Sequence, residues 1–228
     1  MEFWGFVLAA IFGTIAYRMW RHSAHLRRAQ RIRTYHWPRG LLGRLMTTHN
    51  LDRKQAALVS RGLRQFFIAY LMSGQKHVSM PSKIADALWH EFILYTREYE
   101  AFCRDAFGSY MHHTPAVVLR PDERRDNEGL RRVWWYCCQD ENIDPNNPTR
   151  LPLLFALDAK LDIPDGHRYE ADCESLRRAG IHGGHCGGDF SNSGIDGGTD
   201  GLGDSGSGGD GGGDGGGGDG GGGCGGGD

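Results

Sequence analysis

The stretch "DALWHEFILYTREYEAFCRDAFG", residues 86–108, decides the fold. At about 100° per residue, a single helix over residues 82–107 puts Ile84, Leu88, Phe92, Tyr95, Tyr99, Phe102 and Ala106 in one apolar stripe. A helix that packs on a core carries such a stripe. Cys103 sits at its edge and reads as a small buried hydrophobe. His90 falls outside the stripe, four residues after Asp86, so carboxylate and imidazole share a helix face.

The flanking segments extend the helical reading. "LDRKQAALVSRGLRQFFIAYLMSG" begins with Asp52 as N-cap, stops at Gly74, and repeats Val59, Leu63, Phe66, Phe67 and Tyr70 on one face. Pro81-Ser82 opens the next helix and Gly108 closes it. Leu130, Val133, Trp134 and Cys137 mark another, and "LPLLFALDAKL" a short one with Pro152 in its first turn. "YEADCESLRRAG" ends in a helix stop at Gly180, and "AVVL", residues 116–119, is the sole candidate strand. The fold class is all-α.

Both ends differ from this body. "FWGFVLAAIFGTIAY", Phe3 to Tyr17, carries no charge and spans about 22 Å as a helix, against roughly 30 Å of bilayer hydrocarbon. Reaching Trp20, with Arg18 snorkelling and Trp4, Tyr17 and Trp20 as interfacial aromatics, it reads as a transmembrane anchor. Arg18, Arg21, Arg27, Arg28, Arg31, Arg33, Arg39 and Arg44 follow with no acid before Asp52. They argue against a cleaved signal. They put the N-terminus outside and the body in the cytoplasm, against anionic head groups. Without interleaved stacking aromatics beyond Tyr35-His36-Trp37, they do not read as a nucleic-acid surface.

The last 46 residues hold 26 of the 36 glycines and 8 of the 28 acids, leaving residues 1–178 with 26 bases against 20 acids, a net +6. Such a tail has too little apolar surface to offset its chain entropy, and reads as a disordered acidic brush. Its "HGGHC" (His182, His185, Cys186) is a loose soft-metal pattern. The six cysteines lack small-scaffold spacing, and adjacent Cys137 and Cys138 read as reduced thiols. The chain thus divides into an anchor (1–20), a basic juxtamembrane segment (21–44), a helical domain (45–180) and a Gly-rich acidic tail (181–228).

Chemistry, if present, gathers at His90. A carboxylate beside an imidazole suits a metal ligand or a general base. "SYMHHTP" brings His112 and His113 into the loop after Gly108, and a fold-back would complete a zinc-type set with Asp86. Arg97 would then hold an anionic group of a substrate. The bland alternative is that His90 merely pins the loop to the helix.

"MPSKIADALWHEFILYTREYEAFCRDAFGSYMHHTP" also resembles the signature of glycine-rich domain-containing proteins. Pro81, Ser82, Asp86, Trp89, His90, Tyr99, Cys103, Phe107, Gly108 and His113 (or His112) match it, and "RQFFIAYL" and "DENIDPNNPTRLPLLFALDAKL" extend the likeness over roughly residues 45–228. Many longer members carry a second His where this chain has Phe92, and the resemblance implies no established activity.

No nucleotide-binding loop, HExxH, nucleophile elbow or paired CxxC occurs. That favours a membrane-anchored helical interaction module with a protein partner over an enzyme. The alternative is a metal-dependent or acid–base enzyme using His90, Asp86 and His112 or His113. A third reading makes the tail a scaffold.

Overall fold

The computed structural model describes residues 2–113, 128–171 and 185–186, with the backbone alone at residues 2–6, 8–10 and 185–186. The described part is helical: α1 (Glu2–Thr34), α2 (Leu41–His49), α3 (Arg53–Met72), α4 (Lys83–Ile93), α5 (Thr96–Ala106), α6 (Glu128–Asp140) and α7 (Leu153–Lys160). Two-residue strands β1 (Tyr169–Glu170) and β2 (His185–Cys186) pair in parallel. The candidate strand over 116–119 and the tail beyond residue 186 lie outside the described residues. Of the helix expected to end at Gly180, Tyr169–Glu170 form β1 instead, and residues 172–180 are likewise outside.

Helix α3 is the hub, packing against α1, α2, α4, α6 and α7. Asp52 and Gln55 start it with a reciprocal capping box. The expected face is buried at Val59, Leu63, Phe66 and Phe67. Burial also goes round the helix to Ser60, Gly62 and Gln65. These polar groups are satisfied: Trp37 donates to Ser60 Oγ (2.6 Å), and Leu154 N–H donates to Gln65 Oε1 (3.0 Å). A Cβ on Gly62 would lie 2.4 Å from Leu157 Cδ1, so the bare backbone is what lets α7 approach α3.

The residue 82–107 segment is two helices, not one rod. Leu94 and Tyr95 interrupt it, with Tyr95 at φ −82°, ψ 63°. No glycine or proline marks the break. The core face survives it: Ile84, Leu88, Phe92, Tyr99, Phe102 and Ala106 are buried, and only Tyr95 is half-exposed. Cys103 is buried, as its place beside the stripe predicts, and burial raises its thiol pKa.

The expected transmembrane anchor is not found. Among the described residues no helix is long and apolar enough to cross a membrane. The uncharged run is about 22 Å long, and it continues into an arginine-bearing helix without a break. The inside–outside orientation that rested on that span loses its basis. The far half of α1 joins the body instead: Ala29 and Ile32 are buried, and Arg28 Nη1 donates to the Phe107 carbonyl at 3.0 Å. Gly108, at φ +82°, ends α5 just below that guanidinium.

Two carboxylates, Glu141 half-buried and Asp158 buried, tie distant segments together. Glu141 Oε1 accepts from Gln65 Nε2 (2.9 Å) and Leu153 N–H (2.5 Å), and its other oxygen pairs with Arg150. Burial alone would raise its pKa, but these donors outweigh it and hold the carboxyl below its ordinary 4.5. Asp158 of α7, 1 % exposed, lies against the start of α4. It accepts from the Ser82 hydroxyl (2.7 Å) and from the N–H groups of Lys83 (2.8 Å), Ile84 (3.2 Å) and His167 (2.9 Å). An anion there also meets the positive end of the helix dipole. Asp158→Ala strands these buried donors and should cost at least about 3 kcal/mol, read by urea denaturation. A loss within about 1 kcal/mol would mean Asp158 does not hold α4.

Candidate functional site

Asp86 lies in the first turn of α4 and His90 one turn later, both on the side away from the core. Their spacing brings His90 Nδ1 to 3.3 Å from Asp86 Oδ2. The third group arrives from the loop after α5. Tyr99 is buried and its hydroxyl donates to the Met111 carbonyl at 2.6 Å, while Trp89 Nε1 donates to the same hydroxyl at 3.1 Å. Burial pushes the Tyr99 phenol far above its usual pKa, so it remains a donor throughout the ordinary pH range. With Met111 held, His113 comes back over α4 and its Nε2 lies 2.9 Å from Asp86 Oδ1.

One carboxylate therefore joins two imidazoles. One donor atom from each of Asp86, His90 and His113 lies within 4.8 Å of the others. The rings of His90 and His113 are 4.2 Å apart, and the Trp89 indole meets His113 edge-on at 4.4 Å. Trp89 itself rests on Phe66 and Phe67 of α3, so the hub helix backs the cluster. Exposure grades outward, from 15 % at the His113 side chain through 30 % at Asp86 to 54 % at His90. Such a set has an inner end fixed by packing and an outer end open to solvent.

A pocket of about 510 Å³ opens over this cluster. That is within the usual range for small-molecule sites. Its far walls come from the α3–α4 connection (Gln75 to Met80), from Tyr110 and from His167. Arg132 holds the α3–α4 connection by donating to the His77 carbonyl while pairing with Glu128. His112 lines the pocket, its ring 4.8 Å from Tyr110, but it is not one of the three convergent donors. Arg97 is exposed on α5 and is not among the lining residues. His182 of the "HGGHC" pattern is outside the described residues, and His185 and Cys186 form β2.

A family model matches residues 27–190, which takes in every one of these groups. The chain belongs to the UCP032817-like family. No curated protein and no solved structure matches it. The matched region includes the end of α1 that carries buried Ala29 and Ile32 and leaves out the apolar run Phe3–Tyr17 and residues beyond 190. The family match attaches no activity to the site.

Lys83, His77 and His167 carry no motif, and sequence reasoning passed over them. Asp158 draws the His167 backbone to Lys83 at the start of α4, and Arg132 holds the His77 carbonyl across from them. Tyr99→Phe should leave the Trp89 N–H and the Met111 carbonyl unpaired, lowering stability by about 1–3 kcal/mol. It should also broaden or shift the His113 imidazole NMR signals. Unchanged His113 signals would show that the loop is held some other way.

Proposed function

We propose that this domain is a divalent-metal enzyme module in which Asp86, His90 and His113 are the protein ligands. The observation that carries it is the convergence of two imidazoles and one carboxylate on the floor of a pocket. This donor set with an open position is the kind that catalytic zinc uses, and zinc is the metal assigned. Bound there, the ion would supply an activated water at neutral pH. The chain's own residues orient the ligands: the Trp89 edge and the Met111 tether set His113, and the α4 spacing sets His90. The likeness of Asp86, Trp89, His90, Tyr99 and His113 to the glycine-rich domain-containing signature supports reading these positions as one unit. In the metal-free form the same carboxylate–imidazole pairs serve as an acid–base relay. Arg97, on the outer surface, keeps no part in this reading.

The full-length protein, exposed to zinc and desalted, should hold about one zinc per chain. Asp86→Ala, His90→Ala and His113→Ala should each lose it, while His112→Ala keeps it. Elemental analysis beside circular dichroism separates ligand loss from unfolding. Equal zinc in folded His113→Ala would reject the assignment.

A second reading concerns α1 and is compatible with the first. Ile11, Phe12, Ile15, Tyr17, Met19 and Trp20 are exposed, Phe12 by 71 % and Trp20 by 63 %. Arg18 lies among them, and Arg21 and Arg27 come after. This supports association with an anionic membrane surface through the apolar run. Vesicles rich in phosphatidylserine should co-sediment the full chain, and a version with Phe12, Ile15 and Trp20 changed to Ser should bind at least about tenfold less. Equal binding to neutral vesicles and indifference to those changes would discard it.

A further inference from the structure

The pocket has a composition that the ligand triad does not explain. Apart from the phenols of Tyr70 and Tyr110, its titratable lining is one-sided: Lys83 and the imidazoles of His77, His90, His112, His113 and His167 face a single carboxylate, Asp86, among the described residues. That carboxylate is already engaged by two imidazoles. The nearby Asp158 contributes nothing to the cavity, because it is 1 % exposed and accepts from Ser82, Lys83, Ile84 and His167. Lys83 gives its backbone N–H to Asp158, its side chain is exposed at the pocket, and no salt bridge joins it to an acid among the described residues.

The remaining surface is largely apolar, with Ser79 and Ser82 as small polar breaks. Val78, Met80, Trp89, Tyr110 and Met111 line the cavity, with Tyr70 and Gln75 at the α3 end. Burial raises the Tyr70 phenol pKa, leaving it a neutral hydrogen-bond donor. A volume of about 510 Å³ admits far more than a water or a bare ion. Lys83 and a set of imidazole groups over a largely apolar wall fit a ligand with both characters.

We infer that the pocket above Asp86 takes a small organic oxyanion, its anionic head toward Lys83 and the triad and its aromatic or aliphatic part against Met80 and Tyr110. Carboxylate and phosphate monoester heads share this chemistry. The inference deepens the metal reading, since a divalent ion would add positive charge beside the head, but Lys83 and the apolar wall stand without it.

The test uses the full chain, zinc-loaded and metal-free, titrated by calorimetry with phenyl phosphate, benzoate and the neutral control phenol. Either anion should bind at least about tenfold tighter than phenol. Lys83→Met, which keeps the N–H that Asp158 accepts, should weaken the anion by about 5-fold. Tyr110→Ala should weaken phenyl phosphate by roughly 5-fold and leave inorganic phosphate unchanged. Anion binding that needs Lys83 in protein that holds no zinc supports the oxyanion pocket while the metal reading fails. Stoichiometric zinc with no preference for either anion over phenol overturns the inference and leaves the metal reading standing. Absence of binding in both forms also overturns it.

Discussion

The hydrogen bond from the Tyr99 hydroxyl to the Met111 carbonyl fixes how the chain returns after α5. Trp89 closes the link from α4 by donating to the same oxygen. Three residues from two helices and a loop thus share one buried polar contact, surrounded by Phe92 and Tyr110 rings. Its low-dielectric setting makes it costly to break. It also fixes which of two adjacent histidines turns inward, since His113 is two residues beyond the held carbonyl and His112 one.

Asp158 performs the matching task at the other end of α4. A carboxylate that takes the first N–H groups of a helix sets where that helix begins, and hence where its fourth and eighth residues point. Asp86 and His90 owe their direction to it. Gly166 makes the approach feasible, because a Cβ there would lie 2.7 Å from Asp158 Cβ. The site is therefore held from behind by groups that never face the pocket.

Much of this was legible from local chemistry. The caps at Asp52 and Ser82, the stops at Gly74 and Gly108 and the apolar stripe of α4 and α5 all follow from short-range rules, as does the Asp86–His90 pair. The break at Leu94–Tyr95 was not legible, because ordinary residues make it and the apolar spacing passes through unchanged. The choice of His113 over His112 rests on a contact twelve residues away in sequence. Asp158 is further still, 76 residues from Ser82, inside a run that reads as plain helix. Arg97 stands beyond the break at Leu94–Tyr95 and is not among the residues that line the pocket. At the N-terminus, charge pattern and apolarity suggested a span ending near residue 20, yet the helix carries on and lends Ala29 and Ile32 to the core.

That continuity has a mechanical meaning. From Tyr17 to Ala29 the helix runs unbroken for about 18 Å, with no swivel in between. Whatever grips the greasy tip therefore sets the stand-off and tilt of the whole body, in the way a mast sets the attitude of what is bolted to its foot. Arg28 joins that helix to the Phe107 carbonyl. Phe107 is also where Gln75, a pocket-wall residue, makes its bond at 2.9 Å. Helix α1 and the cavity wall thus meet at one shared carbonyl.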